Sequence, residues 1–137
     1  MSEQENTELV RQAYQNFQSG NIEALLGLLT DDVEWQLPEI ENVPFSGQRR
    51  GRDEVGGFFA SLAETQEPLS FEPREFIAQN DKVVALGRYN WRVKGSGREY
   101  GGEWVHVFTV RDGKIAGFHE YMDTAAATRA YQQASAA

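Results

Sequence analysis

Residues 82–123, KVVALGRYNWRVKGSGREYGGEWVHVFTVRDGKIAGFHEYMD, decide the fold. Three runs within them, 82–93, 100–111 and 114–122, are rich in aromatic and β-branched residues and read as strands. The first two are joined by Lys94 to Gly97, and the last two by Asp112-Gly113, a strong hairpin signal. Successive side chains of a strand point to opposite faces, so Arg88, Asn90 and Arg92 share one side of the first run and Tyr89, Trp91 and Val93 the other. The expectation is that Arg88 and Asn90 turn into a cup together with His106 and Glu120. If that set faces water instead, the run is only a solvated sheet, so the functional reading depends on which face is enclosed.

Upstream, Leu69 to Ala78 contains Pro73 and reads as an edge or bulged strand, followed by the turn Asn80-Asp81. Leu9, Val10, Ala13, Tyr14 and Phe17 fall at helical spacing before Gly20, and Asn21 suits the N-cap of a second helix carrying Leu25, Leu26, Leu28 and Leu29 up to Asp31-Asp32. A short strand, Val33 to Leu37, stops at Pro38. A third helix spans Arg52 to Glu64, with Val55, Phe58, Phe59 and Leu62 on one face. A final helix runs from Thr124 to Gln133, with Asp123 or Thr124 as its cap. Helices followed by an antiparallel meander predict an α+β architecture with the helices on one face of the sheet. The strands carry apolar residues on both faces, which predicts a homodimer through the outer sheet face.

The chain has 137 residues and no cysteine, and its 13 Lys and Arg against 21 Asp and Glu give a net charge of −8. One domain over 1–137 is expected, with 1–7 and 134–137 as flexible tails. Scattered positive charge on an acidic chain argues against a nucleic-acid partner. Without cysteines there are no disulfides, thiolate nucleophiles or common structural zinc sites, and neither metal nor cofactor is expected. A polar, acidic N-terminus and the lack of any apolar run near the roughly 18 residues of a span argue against a signal peptide or membrane insertion, so a cytoplasmic protein is expected.

Tyr14 with Phe17, Gly20-Asn21, Leu25 to Leu29, Asp31-Asp32, Gly51-Arg52-Asp53, the run from Phe108 to Ile115, and Glu120 to Asp123 resemble the SnoaL-like and ketosteroid-isomerase-like branch of the nuclear transport factor 2-like superfamily. The resemblance covers essentially the whole chain. It implies a curved, mostly antiparallel sheet wrapped around a helical hairpin and a third helix, forming a conical pocket, usually in a dimer. Three family chemistries are implied. Ketosteroid isomerisation needs a carboxylate base just before the first-strand proline, and Leu37 precedes Pro38, so only Tyr14 matches that site. Limonene-type epoxide hydrolysis uses an Arg with a carboxylate two residues later plus a last-strand Asp; Arg88 and Glu120 resemble two of these, and Asn90 departs from the third. SnoaL-type cyclisation uses pocket His and Asp residues to move protons, which His106 and Glu120 would satisfy.

The resulting site has Glu120 as base, His106 as partner acid, and Arg88 and Asn90 as orienting or oxyanion groups. Tyr14, Trp35, Phe58, Phe59, Trp104, Phe108, Phe118 and Met122 are the expected ligand-binding residues. The substrate expected is a small, largely apolar molecule bearing oxygen, handled without a cofactor. The alternative is a non-catalytic ligand-binding or stress-associated module of the same fold. His119, on the opposite face from Glu120, is an interface or surface residue in either case.

Overall fold

The computed structural model describes residues 2–132. Helix α1, Glu3–Gln18, starts with a capping box in which the Ser2 hydroxyl accepts from Glu5 N–H and the Glu5 carboxylate accepts from Ser2 N–H, both at 3.0 Å. That box corrects the expectation of a tail up to Thr7: residues 3–7 are the helix's first turns. The expected tail at 134–137 and the end of the last helix at Gln133 lie outside the described residues. Asn6, Leu9, Val10, Ala13 and Tyr14 form the buried stripe of α1.

Helix α2, Ile22–Leu26, is capped by Asn21 and is shorter than its leucines suggest. It closes at Gly27, and strand β1, Leu29–Gln36, takes Leu29 as a fully buried residue paired with Ile115. A brief β2, Gln48–Arg50, pairs with β1 and leads into α3, Arg52–Thr65. The remaining strands are β3, Gln66–Gln79, β4, Lys82–Val93, β5, Glu99–Arg111, and β6, Lys114–Tyr121. Helix α4, Thr124–Tyr131, follows, with the Asp123 side chain accepting from Ala126 N–H at 3.0 Å.

The six strands form one curved sheet in the order β2-β1-β6-β5-β4-β3, antiparallel throughout except for β1 beside β6. The N-terminal helices and α3 cover its concave face. On β4 the inward side chains are Val83, Ala85, Tyr89, Trp91 and Val93, all buried, with Gly87 in line; on β5 they are Tyr100, Trp104, His106, Phe108 and Val110. Register through the tight Asp112-Gly113 turn, where both residues adopt positive φ, pairs Arg111 with Lys114 and Val110 with Ile115. Ala116 is then left without a partner, a bulge that shifts every later pair by one residue. An unbulged ladder would set His119 opposite His106. The bulge sets Glu120 there instead and turns Phe118 and Glu120 inward.

Gly87 lies opposite Trp104, and a Cβ at Gly87 would fall 2.2 Å from the Trp104 ring and 2.5 Å from the Glu72 carbonyl oxygen. The missing side chain is what lets the indole lie flat across β4, stacked on Phe71 (5.4 Å) and on the His106 imidazole (4.0 Å). Gly87→Ala is expected to cost about 1–3 kcal/mol, as overpacking does, read as a lower urea midpoint. An unchanged midpoint would mean that Trp104 is not pinned there.

Candidate functional site

The concave face encloses a cavity of about 70 Å³, room for several water molecules. Its wall is mostly aromatic. Tyr14 of α1, Trp35 of β1, Phe58 and Phe59 of α3, Phe108 of β5 and Phe118 of β6 all line it, as expected for these six. Trp104 and Met122 do not. Trp104 sits behind His106 as its stacking partner, and Met122, past the end of β6, packs half-buried at the margin of the core.

Among these rings lies one connected set of polar atoms. The Tyr14 hydroxyl is 2.7 Å from His106 Nδ1, and His106 Nε2 is 2.7 Å from Glu120 Oε2. The Tyr89 hydroxyl reaches the same Oε2 at a long 3.5 Å. His106 is 4% exposed and Glu120 8%. Burial, reinforced by the negative Glu120, pushes the Tyr14 and Tyr89 phenols well above their usual range. Both therefore carry a proton to donate. The consistent assignment has Tyr14 O–H donating to Nδ1 and Nε2–H donating to the Glu120 carboxylate. Glu120 Oε1 has no hydrogen-bond partner among the described residues, although the side chain lines the cavity.

Arg88 and Asn90 are not in this set, which corrects the expectation that opened the sequence reading. Both are exposed on the convex face, where Asn90 Nδ2 donates to Ser70 Oγ at 3.2 Å. Arg88 pairs in register with Glu103 while its neighbour Tyr89 points inward, because the concave face of β4 is the odd-numbered one. The Arg-x-Asn run that resembled an epoxide-hydrolase pair thus lies outside the cup. No Lys or Arg is among the described residues lining the cavity, so the Glu120 carboxylate is held by an imidazole and a phenol and not by a guanidinium. His119 lies on the convex side, with its ring stacked on Tyr121 at 4.2 Å.

Sequence reasoning missed Tyr89 and a second polar group at the cavity wall, Gln66 with Tyr100 and Tyr131. Burial raises the Tyr100 phenol and pushes Tyr131 up to about 12. With Tyr14 and Tyr89, that makes four phenols that the folded state keeps neutral. A raised value means their contribution to stability is whole below the unfolded tyrosine value of about 10 and is lost as pH climbs through the folded values. Phenolate absorbance from these four is expected to appear together with loss of far-ultraviolet ellipticity above about pH 10. Phenolate formation at these positions with the ellipticity intact would contradict their burial.

This architecture defines a class: the NTF2-like cup, in which a curved sheet and covering helices enclose a pocket. A family model described as SnoaL-like domain matches residues 10–118, and the chain belongs to that family. Among solved structures, an NTF2-like protein from Burkholderia xenovorans LB400 is 34% identical with a TM-score of 0.87, over 96% of this chain and 99% of that one. An NTF2-like protein from Burkholderia pseudomallei K96243 is 28% identical with a TM-score of 0.86, over 96% and 99%. TerC, co-crystallised with polyporic acid, is 31% identical with a TM-score of 0.81, over 93% and 98%. No curated protein matches. Among the described residues no helix is long and apolar enough to cross a membrane, and no three His, Cys, Asp or Glu side chains cluster as metal ligands.

Proposed function

We propose that the cavity transfers protons on a small, largely apolar, oxygen-bearing molecule, with Glu120 as the base. One observation carries this reading: a buried carboxylate has one oxygen held by His106 and Tyr89 while the other, Oε1, is without a partner at the wall of an apolar cavity. A C–H made acidic by an adjacent carbonyl would give its proton to Oε1, and the electron pair would move onto the carbonyl oxygen. His106 holds Oε2 and, backed by Tyr14, keeps the carboxylate from rotating. Tyr89 is suited to meet the developing oxyanion. Its 3.5 Å link to Glu120 is weak, and it weakens further once the carboxylate is neutral. Return of the proton at another carbon completes an isomerisation; attack of the carbanion on a second carbonyl, with the Oε1 proton passing to the alkoxide that forms, completes a cyclisation.

Polyporic acid, through the likeness to TerC, joins aromatic ketones, lactones and epoxides as a first probe. A rise in melting temperature with one of these, and chemistry on it that Glu120→Gln abolishes, would support the reading. Ligand binding without any chemistry would favour the non-catalytic module instead.

We also infer a homodimer through the convex face. Two registered rows cross it, Ile77, Val84, Val107 and His119, then Glu75, Leu86, Val105 and Tyr121, with Ile77 56% and Tyr121 51% exposed. Light scattering on a sizing column is expected to return twice the chain mass at micromolar concentration. The chain mass itself would refute the dimer.

A further inference from the structure

We propose that the cavity grips its ligand at two ends: Gln66 Nε2 donates a hydrogen bond to a second oxygen acceptor on a flat aromatic molecule whose reacting carbon lies at Glu120. This rests on reading the cavity as a ligand site and goes beyond it by naming the class of molecule.

Gln66 stands where α3 ends and β3 begins, and it is 2% exposed. Its Oε1 accepts from the Tyr100 hydroxyl at 2.8 Å and from the Tyr131 hydroxyl at 2.5 Å, and the latter also reaches Thr65 Oγ1 at 3.3 Å. Burial keeps the Tyr100 phenol protonated, and the Gln66 amide oxygen is the only acceptor within its reach among the described residues, so that oxygen faces Tyr100 and the Tyr131 hydroxyl meets the same atom. That orients the amide: oxygen toward the tyrosines, nitrogen away from them. Nε2 has no hydrogen-bond partner among the described residues, while the Gln66 side chain lines the cavity. An amide donor left free at an apolar cavity wall is a ready partner for an oxygen acceptor on a bound molecule.

The two ends share one wall. Tyr100 and His106 lie six positions apart on β5, and Tyr89 sits between their groups, its ring centroid 6.5 Å from that of Tyr100 and its hydroxyl on Glu120. The surface between is aromatic, with Tyr89 and Trp91 edge to face at 5.7 Å, which favours a planar ring system over a branched aliphatic one. The class that fits is an aromatic ketone bearing a carbonyl or ether oxygen at its far end.

A matched pair tests this: 1-tetralone and 6-methoxy-1-tetralone, titrated by the fluorescence of the pocket tryptophans. The wild type is expected to bind the methoxy compound roughly three- to tenfold more tightly, the worth of one added hydrogen bond. Gln66→Glu keeps an acceptor for both tyrosines but replaces the donor with a second oxygen, and is expected to bring the ratio to about one or below. Gln66→Met, apolar and similar in length, is expected to do the same and serves if the Glu variant does not fold. A wild-type ratio near one, a ratio unchanged in the folded variant, or no binding of either ketone overturns the proposal. Deuterium exchange at the α-carbon of the same ketones reports Glu120 separately. Preference without exchange would sink proton transfer and leave the two-ended grip standing, and exchange without preference would do the reverse.

Discussion

Glu120→Gln is expected to slow proton transfer in the cavity by about 10²–10⁴-fold, the usual contribution of a positioned general base, while the chain stays folded and still binds its ligand. The argument rests on what the amide keeps and what it loses. A Gln side chain has the same shape and can still accept from His106 Nε2–H through its oxygen, so the Tyr14–His106 chain survives. The atom at the Oε1 position becomes an NH2 group, which has no lone pair able to take a proton. Turnover should fall and ligand affinity should change little, a signature of transition-state loss rather than of lost binding. Glu120→Asp keeps the base but withdraws it by one methylene, and is expected to fall between wild type and Gln.

The second large effect is on stability. His106→Ala is expected to destabilise the fold by about 3–5 kcal/mol, because it strips the partner from a buried carboxylate. It also leaves the Tyr14 hydroxyl without its acceptor and removes the ring stacked 4.0 Å from Trp104. These losses share one cause, so they should be partly reversible. In the double variant His106→Ala with Glu120→Gln the carboxylate is gone, and at least about 1 kcal/mol of the loss is expected to return, within the range of coupling between contacting residues. Urea unfolding of the four proteins measures this directly. Strict additivity would mean that the imidazole and the carboxylate do not interact as their 2.7 Å separation implies.

Much of the fold was legible because it is local. The stripe from Leu9 to Tyr14, the aromatic face of α3 and the Asp112-Gly113 hairpin each follow from spacing within a dozen residues. The short β2 was not legible, since Gln48–Arg50 is three polar residues made a strand only by pairing with β1. Leu29 read as helical because leucine suits either state, and its pairing beside Ile115 is a long-range decision. The site divides in the same way. The family resemblance and their aromatic neighbours point to Glu120, His106 and Tyr14, which the fold brings into one hydrogen-bonded chain. Arg88 and Asn90 were misplaced because facing depends on where pairing starts across the Lys94 to Arg98 loop. Arg92 sits opposite Glu99, so the even residues of β5, His106 among them, share a face with the odd residues of β4, and therefore with Tyr89. Had pairing begun one residue later, Arg88 would have been inside. The Gln66 group joins the end of α3, β5 and α4, and no spacing in the sequence announces it.

The most direct test of a carboxylate poised on an open cavity is deuterium incorporation at the α-carbon of 1-tetralone in heavy water, followed by proton NMR with the wild type and Glu120→Gln side by side. Proton transfer by Glu120 predicts incorporation with the wild type and none above background with the variant, although both bind the ketone. Equal incorporation by the two proteins, or a bound ketone that the wild type never exchanges, would contradict it.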